Sequence, residues 1–148
     1  MRYSACLVAI CVLAGCNNAP LATTLTASSP APAPDVFQCA RNQLKAIKFD
    51  QSSIDLNGQR LNARRLDETQ RRPDVQFRRI VDRLEIEAVP ASGGAVTTLK
   101  VTARTFAEYT TQRGPTEVEE RTSEAARRAA QAMIDRCGGD VARAGEST

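Results

Sequence analysis

The apolar positions change period along the chain, and each change marks an element. Val36, Ala40, Leu44 and Ile47 recur at helical spacing, with Arg41, Lys45 and Lys48 on the other side. The spacing predicts a helix over 36–47, with Asp35 as N-cap just after Pro34. Two short runs then flank Asn57-Gly58, the dipeptide that favours a type I′ hairpin turn. Strands are predicted over 49–56, with Ile54 and Leu56 on one face, and 59–66, with Leu61 and Ala63 on one face. A polar stretch, 67–74, contains Arg71-Arg72-Pro73 and reads as a loop.

From 75 to 89 the alternation is long: Ile80, Leu84, Ile86 and Ala88 against Arg83, Glu85 and Glu87. Val75 and Phe77 are out of phase with that set, which predicts a bulge near Arg78-Arg79. After a Gly93-Gly94 turn, residues 96–107 alternate Leu99, Val101 and Ala103 against Lys100, Thr102 and Arg104. Gly114-Pro115 breaks the pattern, and Thr116 with Glu119 matches a capping box. A last helix is predicted from there to about Arg136, stopped by Gly138-Gly139. The expected fold is α+β: a four-stranded antiparallel sheet in the order α-β-β-β-β-α, both helices on one face.

The chain has 148 residues, 42% hydrophobic and 25% charged, with no His and no Trp, which suits one soluble domain. Without His there is no His-based triad, His metal site or histidine pH switch. Phosphate-binding loops, a nucleophile elbow, zinc spacing and a dinucleotide fingerprint are all missing, so no cofactor and no metal are implied. An enzyme is not expected.

The N-terminus reads as an address. A short basic start, Met1-Arg2-Tyr3, precedes an apolar run over 4–14, too short to span a bilayer but suited to a signal peptide. Leu13-Ala14-Gly15-Cys16 follows. This motif resembles the lipobox of bacterial lipoproteins, and the chain as a whole resembles small Gram-negative envelope lipoproteins. The resemblance implies cleavage after residue 15, a diacylglycerol thioether on Cys16 and a third acyl chain on its new amino group. One chain alone binds a membrane marginally; several on one residue anchor it firmly. Asn17 in place of Asp leans toward the outer membrane by the sorting rules of such lipoproteins. The protein is therefore expected in the cell envelope, held by its lipid and facing the periplasm.

Residues 16–34, lipidated Cys16 and a stretch with four prolines and no charge, read as a disordered tether. Fully extended, its 18 residues after Cys16 would reach about 55 Å. The single domain is expected over 35–140, with a frayed tail at 141–148.

Cys6 and Cys11 would leave with the signal peptide, and Cys16 takes the lipid. In an exported domain, Cys39 and Cys137 are expected to form a structural disulfide that sets the first and last helices side by side. Two buried free thiols are the alternative; catalysis would need a CxxC or an activating His, and the sequence has neither.

Between Arg60 and Arg83 there are eight Arg against four acidic residues. Arg64, Arg65, Arg78 and Arg79 form a candidate patch for anionic headgroups, phosphates or carboxylates. The bland reading is a solvated, Arg-rich sheet face, in a chain where Arg supplies 17 of 20 basic residues. Nucleic acid is not an expected partner, since the basic residues lack interleaved aromatics for stacking. The leading reading is a lipid-anchored, non-enzymatic module that binds or scaffolds an envelope component. The alternative is a small-ligand carrier or enzyme with a site between sheet and helices.

Overall fold

The computed structural model describes residues 20–139. The expected signal peptide, the lipidation site Cys16 and the tail at 141–148 lie outside those residues. Eight elements follow in order: β1 (Thr23–Ser29), α1 (Ala33–Ala46), β2 (Asp50–Asp55), β3 (Arg60–Asp67), β4 (Phe77–Pro90), β5 (Thr97–Thr111), β6 (Gly114–Glu120) and α2 (Glu124–Cys137). The class is α+β, with one antiparallel sheet ordered β1-β5-β4-β3-β2 and β6 also on β5. The sheet has six strands, not four, and both additions are edge strands.

The first addition lies in the stretch read as tether. Thr23, Leu25 and Ala27 alternate with Thr24, Thr26 and Ser28, and this β-branched run pairs along β5 from Ala103 to Thr97. Leu25 packs against the core, so the segment has a face to bury. The second addition replaces the predicted start of the last helix. Gly114, at φ 110°, closes a hairpin after Gln112-Arg113, and β6 runs back along β5. Pro115 is tolerated there because the strand is at an edge. The helix's N-cap lies seven residues beyond the capping-box Thr116. It is Ser123, whose hydroxyl accepts from the Ala126 amide at 3.0 Å.

Smaller expectations also shift. α1 starts at Ala33 on a Pro32 cap without a side-chain bond, and Asp35 sits in its first turn. The Asn57-Gly58 hairpin forms without a type I′ turn: Asp55 Oδ1 accepts from both amides, and the positive φ falls on Gln59. β2 is exposed throughout, so Ile54 and Leu56 do not face the core. The expected bulge is present as a register shift between Phe77 and Arg79.

The core is the face between sheet and helices. Leu61, Ala63, Leu84, Ile86, Leu99, Val101 and Ala103 meet Val36, Phe37, Ala40 and Leu44 from α1 and Ala126, Ala130 and Met133 from α2. Alanines dominate α2's inner side, which lets it lie close to the sheet. At its end Gly138 is required: a Cβ there would fall 2.5 Å from that of Ala27 in β1. The Cys39–Cys137 disulfide joins the helices, with Cα atoms 5.7 Å apart and a sequence separation of 98. Among the described residues, no helix is long and apolar enough to cross a membrane.

Candidate functional site

The two sheet faces differ in what they hold. On the helix face, Asp82 is fully buried. It accepts from Arg65 Nη2 at 2.5 Å, Thr105 Oγ1 at 2.6 Å and Ser123 Oγ at 2.8 Å. Arg65 also lies 5.8 Å from the centre of the Phe49 ring. This network satisfies a buried carboxylate and pins the start of α2 to β4 and β5, a structural role. Beyond the helices, Arg72 of the β3–β4 loop reaches onto the same face. Arg72 binds Glu120 with both nitrogens (2.5 and 2.6 Å) and stands 4.8 Å above the Phe77 ring. Its hydrogen bonds hold the Glu120 carboxyl below the ordinary carboxylate range.

The four arginines picked out in the sequence therefore do not form one surface. Arg65 is committed to Asp82 on the helix face. Arg79 pairs with Glu68 at 3.0 Å and Glu108 at 3.2 Å, and Arg78 reaches Glu108 at 3.4 Å. Only Arg64 stands exposed on the uncovered face without an ion pair among the described residues.

Register gives Arg64 different neighbours. It lies opposite Arg83 of β4, and Arg83 lies opposite Arg104 of β5. Three arginines thus stand abreast on consecutive strands, with Cβ atoms about 5 Å apart. Like charges directly opposite destabilise a sheet. Carboxylates flank the row: Arg83 reaches Glu117 at 2.6 and 2.8 Å, Arg104 lies 3.5 Å from Glu119, and Asp50 of β2 stands opposite Arg64 without forming an ion pair with it. Next to it runs an apolar row of Leu66, Val81 and Phe106. Arg83 lies over the Phe106 ring, 4.6 Å from its centre. A groove of about 420 Å³ opens mainly on the other side of the arginine row, where Asn62, Glu85 and Thr102 stand abreast, and is lined by these with Ser52, Ser53, Arg83, Arg104 and Phe106.

Guanidinium forks of this kind suit carboxylate or phosphate oxygens, while Phe106 offers an apolar wall and Asn62 and Thr102 neutral hydrogen bonds. Arg83 and Arg104 were missed in the sequence because adjacency along the chain was used to group charges. The usable signal was the β4–β5 hairpin: counting outward from its Gly93-Gly94 turn places Arg83 across from Arg104. Among the described residues, no three His, Cys, Asp or Glu side chains converge as a metal site.

No family model matches the chain. No curated protein matches it. A solution NMR structure of a protein from Thermobifida fusca is similar at 14% identity over 80% of this chain and 85% of that one, with a TM-score of 0.38. A likeness of that degree bears on neither fold nor function, so the reading that follows stands on the residues themselves.

Proposed function

We propose that the protein is a lipid-anchored, non-enzymatic binding module of the cell envelope, held at the outer membrane through Cys16 and facing the periplasm. It engages an anionic group of another envelope component at the groove beside Arg64, Arg83 and Arg104. The observation that carries this reading is the arginine row itself. Three arginines stand abreast on an uncovered sheet face, and Arg64 among them forms no ion pair among the described residues, an arrangement favourable to an incoming anion. The region where a site between sheet and helices would have to lie is instead filled by fully buried Leu84, Ile86, Val101, Ala130 and Met133.

The test is in-cell photocrosslinking from a photoreactive residue at Thr102, on the groove floor. One discrete envelope product is expected, and it should disappear when Arg64→Ser and Arg104→Ser are combined. An unchanged product in that variant, or none in the parent, overturns the reading. Labelled palmitate should mark the chain and fail to mark Cys16→Ala; equal labelling overturns the anchor.

A further inference from the structure

The point where the described chain enters the fold restricts how an anchored domain can sit. β1 and β6 are two halves of one edge. β6 ends with Glu120 opposite Thr105, and β1 begins with Thr23 opposite Ala103, so only Arg104 of β5 lies between them. The seam is closed by Leu21, whose carbonyl accepts from the Thr122 amide at 2.9 Å and the Thr122 hydroxyl at 2.7 Å. The Ala103 carbonyl lies 3.1 Å from the same hydroxyl. From Leu21 back to Cys16 there are five residues, which span at most about 18 Å. The distance available is thus about a third of the reach of a free tether from Cys16 to Pro34.

Charge at this seam is unbalanced. Each nearby carboxylate has a partner: Glu119 with Arg104, Glu120 with Arg72, Glu124 with Arg128. Arg121 and Arg127 are exposed and have no acidic partner among the described residues. Arg127 instead donates to the Thr122 carbonyl at 2.9 Å, which holds its guanidinium beside the seam.

We propose that the β1/β6 edge is a membrane-docking surface: it rests on the anionic phospholipid headgroups of the bilayer that holds the Cys16 lipid, with Arg121 and Arg127 against their phosphates. This rests on the anchor proposed above and adds an orientation to it. The sheet stands edge-on to the bilayer, so the arginine groove opens sideways and stays free for its partner. The β2 edge and the β2–β3 hairpin point away, about 19 Å further out across four strand spacings.

The chain has no Trp, so single-Trp variants report position without background. Val118→Trp on β6 and Thr26→Trp on β1 probe both halves of the docked edge, and Leu56→Trp probes the far hairpin. All three positions are exposed. The lipidated full-length protein is placed in phosphatidylethanolamine vesicles containing about one quarter phosphatidylglycerol and a nitroxide-headgroup lipid. Quenching at 118 and 26 should exceed that at 56 by at least about threefold. Arg121→Gln with Arg127→Gln, or high salt, should bring the three together. Equal quenching at all three positions, on protein whose mass shows lipid on Cys16, overturns the docking and leaves the anchor standing. A mass without lipid overturns both.

Discussion

The two faces of one sheet are built from the same strands and solve opposite problems. The covered face is apolar, close-packed and cross-linked: Leu84, Ile86, Leu99 and Val101 are fully buried beneath two helices joined by a disulfide. Its one buried carboxylate, Asp82, has three donors. The uncovered face is a lattice of exposed ion pairs with an arginine row through its middle. Exposed pairs contribute ~0–1 kcal/mol each, against ~2–5 kcal/mol for a large core side chain. Stability is thus concentrated on one face, which leaves the other free to carry charges that do nothing for folding.

The sharpest break in that contrast comes from the disulfide. A bridge at a sequence separation of 98 contributes about 4–5 kcal/mol in the chain-entropy description. Cys39→Ser with Cys137→Ser should lower the melting temperature by more than about 15 °C, measured by circular dichroism. A drop of only a few degrees would mean that helix packing alone holds the covered face. Next in size is Leu84→Ala, expected to cost about 3–4 kcal/mol in urea unfolding because the cavity lies at the centre of the covered face.

The loop over residues 68–76 gives a smaller, pH-dependent effect. The Arg72 pair lowers the Glu120 pKa in the folded state. A depressed carboxyl contributes stability that is present above its unfolded value and is lost as pH falls through the folded one. The parent should therefore lose more stability below about pH 4 than Glu120→Gln, which lacks the titrating group. Parallel pH profiles for the two proteins would show that the pair contributes nothing.

What the sequence revealed follows the same division. β3, β4, β5, the end of α2 and the cysteine pair were legible because buried positions leave a period: Leu61 and Ala63, Leu84 and Ile86, Leu99 and Val101. The edges left no such trace. β1 is Thr- and Ser-rich and lies among prolines, so its composition reads as linker. β6 holds a Thr and a Glu at capping-box spacing, a local signal overruled by the open edge of β5. Locating the end of the strand system correctly would have required knowing that β5 runs on to Thr111. The candidate site was illegible for a related reason. Charges adjacent in sequence, such as Arg64 and Arg65, point to opposite faces, and the row that forms joins residues 64, 83 and 104 through register alone.

The central claim is that the arginine row serves recognition and not folding. Its most direct test measures both properties on one variant, Arg64→Ser with Arg104→Ser. Urea unfolding should show stability equal to the parent within about 0.5 kcal/mol, or higher through relief of like charge. The Thr102 photocrosslink to the envelope partner should disappear in the same protein. A stability loss as large as that of Leu84→Ala, or an undiminished crosslink, would contradict the account.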